Sequence, residues 1–225
     1  AGAQKLTTNL LVAQEPFDYF EPTAAAIEEA LTLASQADKV VVALGETDWM
    51  SGEAASRSDI RLPEKQLAVV AQIIEKNPNV VVTVYSGRPL DLQGIDVAKG
   101  IVQAWQPGTE GGNALAEILW GEYNPSGRLS MSFPETVGQV PIFYNVDNTG
   151  RPYESAPEEK YVSKYLDVSN YAKYPFGFGL SYSHFSYQPI QLSALTFTKE
   201  QPVTVSVLVR NDSPIAGEET VQFYV

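Results

Sequence analysis

The chain has 225 residues, 44% of them hydrophobic and 19% charged, and its 27 acidic against 15 basic side chains give a formal net charge of −12. That balance argues against a nucleic-acid backbone or an anionic membrane surface as partner, since both ask for clustered lysine and arginine. With no cysteine and a single histidine, His184, the chain lacks material for disulfides, thiol nucleophiles, Ser-His-Asp triads and cysteine or multi-histidine metal sites, so no metal or other cofactor is expected.

Residues 22–37 read as a helix, with Thr23 as N-cap and Ile27, Ala30, Leu31 and Ala34 spaced for one buried face. The run VVVALG that follows has the continuous apolar, β-branched character of a strand covered on both sides. Next comes the loop GETDWMSGEAASRSDIRLP, which packs Glu46, Asp48, Glu53 and Asp59 between glycines and serines, and then a helix over residues 63–76 with Pro63 in its first turn. Asn77 and Pro78 end that helix, VVVTVYSG repeats the strand pattern, and GIVQAWQPG supplies a third strand before a helix over residues 111–119. This alternation predicts an α/β fold, a mostly parallel sheet flanked by helices in flavodoxin-like layers. Right-handed crossovers would bring the loops after Leu44, Tyr85 and Trp105 to one edge, where Glu53, Arg88 and Glu110 would share a cleft.

Over residues 124–180 the regular pattern fades into segments such as NPSGRL, NVDNTGRPY and YPFGFGLSY, either a functional or domain-joining stretch or a surface wrap that packs its aromatics. His184, within YSHFSY, reads as part of a strand entrance. PVTVSVLVRN and ETVQFYV then alternate apolar and polar residues around the turn NDSPIAGE, as two antiparallel strands of a β-sandwich that the chain, stopping at Val225, leaves incomplete. The expected division is an α/β sandwich over residues 1–185 and a truncated β-sandwich over residues 186–225.

A cluster of carboxyls beyond a buried strand suits glycosidic bond chemistry, in which one carboxyl protonates the departing oxygen and a second carboxylate acts on the anomeric carbon. The plain alternative is four acids on a solvated loop that aid solubility. Arg57 and Asp59 are expected to pair beside Glu53, with Arg57 either holding a sugar hydroxyl or setting the loop's conformation. PGTEGG offers a phosphate cradle or close helix packing, the second being the ordinary use of such glycines. Trp49, Trp105, Tyr153 and Phe178 offer flat faces for a pyranose ring or fill cores.

Four segments in order, LGETDWMSGEAASRSDIRLP, AWQPGTEGGNALAEILWGEYNPSGRLSMSFP, NTGRP and YPFGFGLSYSHF, resemble the C-terminal half of glycoside hydrolase family 3, especially its periplasmic-type bacterial β-glucosidases. The resemblance implies an N-terminal (β/α)8 barrel carrying an aspartate nucleophile, an α/β sandwich lending the acid/base, and a closing fibronectin type III-like domain. This sequence resembles the second of these and the start of the third. Nothing before Thr23 matches the Gly-Pro strand that opens the family's α/β domain, so that first strand is expected to be missing.

Carried over by motif, Glu53 in SGEAASR matches the acid/base, and Glu46 in LGE is its rival, better suited to anchoring the loop through backbone amides. Arg57, Trp49 and Tyr153 are the candidate substrate contacts. The implied activity is retaining hydrolysis of terminal non-reducing β-D-glucosyl residues from β-glucosides or oligosaccharides, with the barrel as partner domain and the isolated chain inactive. A homodimer of the full-length enzyme and a periplasmic or secreted location fit the same family. The lack of cysteine suits either the cytoplasm or an oxidising compartment, the opening AGAQKLTTNL lacks signal-peptide order, and no run approaches the roughly 20 apolar residues of a membrane span. A non-catalytic carbohydrate-binding or interaction module is the competing reading. A nucleotide-binding domain is disfavoured, because Glu46, Asp48 and Glu53 would repel a phosphate after the first visible strand.

Overall fold

Valine-rich runs build the centre of the fold. In the computed structural model, which describes residues 3, 7, 10–13, 22–196 and 198–224, the strands β1 (Val40–Gly45), β2 (Val80–Tyr85) and β3 (Gly100–Gln103) form a parallel sheet in the order β1-β2-β3. Val42 pairs with Val82 and Val82 with Ile101, so each strand's apolar residues stack on those of its neighbour.

Two helices cover one face of this sheet. α1 (Ala24–Gln36) starts where Thr23 Oγ1 accepts a hydrogen bond from the Ala26 amide at 3.1 Å, as its N-cap position predicts. α2 (Glu64–Lys76) follows Pro63, which sits at the cap and not inside the first turn. Ala34 from α1 and Val69, Val70 and Ile73 from α2 pack with Val42, Leu44, Val80, Val82 and Val84 into one core. β1 departs from expectation, since Val41 is 46% exposed and Ala43 is exposed as well. The helices reach only the Val42 and Leu44 face, and β1 lies at the sheet's edge among the described residues.

Asn77 ties the helices together where α2 ends. Its buried side chain donates to the carbonyls of Ala34 at 3.0 Å and Ala37 at 2.6 Å, and accepts from the Asn79 amide at 2.9 Å. After β3, α3 (Gly111–Trp120) closes on Gly121, whose φ of +81° provides the left-handed cap.

Residues 124–184 are irregular apart from short 3-10 helices (Val137–Gln139 and Tyr153–Ser155). They wrap the core without extending the sheet. Phe133 is buried in the core and bridges Tyr174, the buried Gln139 side chain donates to the carbonyls of Ser169 and Tyr171, and Lys173 reaches Asp96 at 2.6 Å. The Lys173 ammonium holds the Asp96 carboxyl below its ordinary range.

The chain ends in small antiparallel pairs, β4 (Phe185–Tyr187) with β7 (Val209–Asn211) and β5 (Gln191–Leu192) with β6 (Val205–Ser206). His184 stands directly before β4, where its carbonyl accepts from the Asp212 amide at 2.8 Å, as a strand entrance should. The expected pairing of PVTVSVLVRN with ETVQFYV is not formed. The first of these segments pairs instead with β4 and β5, and residues 216–224 carry no strand. Side chains anchor that last stretch to the wrap, with Glu219 on Arg128 at 2.9 Å and Gln222 on the Gly177 carbonyl at 3.0 Å, so its backbone runs beside no partner strand. Val225 and the region where the family's first strand would lie fall outside the described residues, Ala3, Thr7, residues 10–13 and Pro22 apart.

Asn77→Ala should lower unfolding free energy by about 2 kcal/mol in a urea titration, because it strands the buried carbonyl of Ala34 and the half-buried one of Ala37. A change under about 0.5 kcal/mol, the range of an ordinary surface substitution, would show that water replaces those bonds without loss.

Candidate active site at the carboxyl edge of the sheet

β1 ends in a glycine because nothing larger fits. A Cβ on Gly45, whose φ is +152°, would lie 1.9 Å from the Tyr85 carbonyl oxygen. The side-chain amide of Gln66, on α2, clamps this residue by accepting from its N–H at 3.0 Å and donating to its carbonyl at 3.1 Å. Glu46 is thereby aimed into the space between the ends of β1 and β2, and its own amide donates to Tyr85 O at 2.9 Å.

The Glu46 side chain is only 1% exposed. Oε1 lies 2.8 Å from Arg57 Nη1 in a hydrogen bond and 3.0 Å from Arg88 Nε, whose N–H is not directed at it. Oε2 accepts from the Gly87 amide at 3.2 Å. The expected amide anchor is therefore present, and two guanidinium groups join it. A Cβ on Gly87 would come within 2.0 Å of Ser51 Oγ, so the bare glycine leaves room for Ser51 beside the brace.

Each arginine also holds the loop's backbone. Arg57 Nη2 donates to Arg61 O at 3.0 Å, and Arg88 Nη2 donates to Met50 O at 2.6 Å and Ala55 O at 2.7 Å. The pair expected between Arg57 and Asp59 does not form. Asp59 takes the Arg61 backbone amide and side chain, with Nε at 2.9 Å, and these bonds hold its carboxyl well below the usual carboxylate range. Its two-residue spacing from Arg61 favours that local closure, which frees Arg57 to neutralise the buried Glu46.

Glu53 stands at the corner of a turn closed by the Ala55 amide on Gly52 O at 3.3 Å, with Ala54 at a φ of +60°. It is exposed, and its carboxyl has no hydrogen bond or ion pair among the described residues. Trp49, in a short 3-10 helix (Asp48–Met50), is 80% exposed on the same loop.

The three strand-end loops meet around a hollow of about 280 Å³, to which Glu46, Asp48 and Ser51 contribute from the first, Ser86 and Gly87 from the second, and Trp105 and Gln106 from the third, while Glu53 does not line it. This is the edge the topology predicts. Its lining differs from the expected trio of Glu53, Arg88 and Glu110. Arg88 turns inward under the loop, and Glu110 bonds the Asn113 side chain at the N-terminus of α3, the position a phosphate would need. Trp105 adopts a left-handed φ of +55° and sets its ring edge-on to Phe133 at 5.7 Å, joining hollow to core.

Tyr153 is not brought to this hollow. It lines a separate one of about 290 Å³ with Tyr165 and Leu166, its ring 6.1 Å from that of Tyr171. Phe178 packs on Tyr174 at 5.2 Å. The sequence pattern placed Arg88 at this edge but not the brace it forms with Gln66 and Gly87. SGRP directly after a buried strand, opposite a glutamate at the end of the neighbouring one, was its only trace. Among the described residues no group of three or more histidine, cysteine, aspartate or glutamate side chains is placed to hold a metal ion.

Residues 2–182 match the profile described as the "Glycosyl hydrolase family 3 C-terminal domain". The chain belongs to glycoside hydrolase family 3. A "Periplasmic beta-glucosidase" of Salmonella typhimurium is 43% identical over 202 residues, covering 89% of this chain and 26% of that protein. A "Beta-xylosidase" of Formosa agariphila is 35% identical over 199 residues, covering 88% of this chain and 26% of its own length. Among solved structures, the β-glucosidase of Listeria innocua superposes with a TM-score of 0.86 at 38% identity, over 96% of this chain and 30% of that one, and has also been solved with glucose and with gluconolactone. This family 3 chain thus spans about a quarter of the length of the curated relatives it matches.

Removing the buried carboxylate as Glu46→Ala should cost about 3–5 kcal/mol in unfolding free energy, because two guanidinium groups lose their counter-charge. Amides of residues 50–58 should then exchange with solvent faster than those of β2. Unchanged exchange in that loop would show that it holds its shape without Glu46.

Proposed function

We propose that this chain is the part of a retaining β-glucosidase that presents the general acid/base, Glu53, to a site completed by an aspartate nucleophile on a (β/α)8 barrel elsewhere in the enzyme. The observation that carries this reading is the contrast between two glutamates on one loop. Both oxygens of Glu46 are engaged at a buried brace, whereas Glu53 stands unbonded at the corner of the turn that the brace supports.

A general acid must reach an oxygen on the substrate, and a carboxyl committed to Arg57, Arg88 and Gly87 has no oxygen left for that. Glu53 has both. In the reaction it protonates the glycosidic oxygen as the bond breaks and the nucleophile takes the sugar. It then removes a proton from the water that attacks the glycosyl-enzyme. A second domain closing over the turn would supply the apolar surroundings in which a carboxyl keeps its proton near neutral pH.

Arg57 serves in this scheme as a loop brace and not as a sugar ligand, because its guanidinium is spent on Glu46 and Arg61 O. Trp49 remains a substrate or domain contact, and Tyr153 would reach sugar only through its own separate hollow. The names of the Salmonella and Listeria relatives support terminal β-D-glucosyl residues as substrate, while the Formosa relative leaves xylose second. The Salmonella protein's name also supports a periplasmic or secreted enzyme. A homodimer of the full-length enzyme, and a boundary near residue 185 between the α/β sandwich and a fibronectin type III-like domain, complete the proposal.

In the full-length enzyme, Glu53→Ala should lower kcat/KM for alkyl β-glucosides by about 10²–10⁴-fold and for activated aryl β-glucosides far less, since a good leaving group departs without protonation and only the later attack of water misses its base. Azide, which needs no base, should restore turnover and yield a β-glucosyl azide. Azide product from Glu46→Ala, and none from Glu53→Ala, would transfer the role to Glu46.

A further inference from the structure

Resting on the acid/base reading of Glu53, we propose that Arg88 is a positioning residue for catalysis, the side chain that ties both flanks of the Glu53 turn to the end of β2. The geometry points to it in three ways. Its Nη2 donates to Met50 O at 2.6 Å and Ala55 O at 2.7 Å, two carbonyls that bracket the turn from Gly52 to Ala55 with Glu53 at its corner. Its Nε lies 3.0 Å from the buried Glu46 carboxylate, a charge contact without a hydrogen bond, so the guanidinium has its counter-charge directly behind it.

The backbone that carries Arg88 is itself rigid. Ser86 Oγ donates to Arg88 O at 2.8 Å, Leu90 and Asp91 are buried, and the Asp91 amide donates to Ile60 O at 3.1 Å. Between the 3-10 helix (Asp48–Met50) and the bridge at Arg61 the loop has no regular structure of its own, and Ala54 within it adopts a left-handed φ of +60° that costs about 1–2 kcal/mol for a residue with a Cβ. A strained turn keeps its shape only when its surroundings impose it, and a guanidinium that spans both flanks of the turn does so.

Lysine cannot replace it. Arginine presents several N–H donors in a planar fork, so one edge can face the Glu46 carboxylate while the far nitrogen holds two carbonyls. A lysine ammonium keeps the charge beside Glu46 without that reach. A turn displaced by about 1 Å loses up to ~100-fold in rate even though the acid itself is intact.

The test uses the full-length enzyme with Arg88→Lys, Arg88→Ala and Glu53→Ala, each assayed on an alkyl β-glucoside and on 2,4-dinitrophenyl β-glucoside. Both Arg88 variants should lose kcat/KM on the alkyl substrate, on the order of 10–100-fold, and little kcat/KM on the dinitrophenyl substrate, whose kcat and KM fall together because hydrolysis of the glycosyl-enzyme still needs the displaced base. Millimolar guanidinium should recover part of the loss in Arg88→Ala and none in Glu53→Ala. A merely structural role lowers the amount of active enzyme and slows both substrates equally. Equal loss of kcat/KM on the two substrates, or none, in Arg88→Lys, the variant that keeps the charge and the fold, overturns the inference. If Glu53→Ala keeps its leaving-group dependence and azide rescue in that case, the acid/base reading stands alone. If Glu53→Ala itself shows no such dependence, both fall.

Discussion

A carboxylate moved out of water must find its charge and its lone pairs matched, and Glu46 meets that demand at the end of a parallel strand. Two guanidinium groups and one backbone amide surround it. Because those arginines arrive from different segments, one from the loop itself and one from the turn after β2, satisfying a single buried charge joins the loop to the sheet. The same arginines spend their remaining donors on loop carbonyls, so the loop's shape follows from the electrostatics beneath it. Gly45 is the steric condition for this arrangement, and Gln66 fixes the angle at which Glu46 enters.

The consequence is a division of labour between neighbouring acids. Burial takes Glu46 out of contact with solvent, and the brace it organises leaves Glu53 at an exposed corner with nothing to satisfy its oxygens among the described residues. On the proposed reading of Glu53, a catalytic acid presented to another domain needs both properties, a fixed base and an uncommitted tip. Trp105 extends the same logic at the third strand end, where a left-handed backbone and contact with Phe133 tie the hollow's floor to the core.

Much of this was legible in the sequence where local pattern and burial agree. VVVALG and VVVTVY announce buried parallel strands, Thr23 an N-cap, and the alternation of strand and helix the edge where the loops gather. The four ordered motifs identified the family, which the profile match confirms. What the sequence hid were choices among partners. Asp59 lies two residues from either Arg57 or Arg61, and in the folded chain it closes forward on the Arg61 amide and side chain while Arg57 goes to the buried Glu46. Likewise, alternation in ETVQFYV suits a strand, yet whether a strand forms depends on a neighbour to pair with, and the structure holds that stretch by side chains instead. The exposed face of β1 was missed for a similar reason, because a run of valines does not reveal which side will be covered.

The most direct test of this account is a double-mutant cycle between Glu46 and Arg57, using Glu46→Gln, Arg57→Gln and the double variant, with unfolding free energies measured by urea titration. A buried brace predicts a coupling of about 2–3 kcal/mol, as for charged residues in one buried network. A coupling below about 0.5 kcal/mol, the value of a solvent-exposed ion pair, would contradict it and show that the loop's shape does not depend on the buried carboxylate.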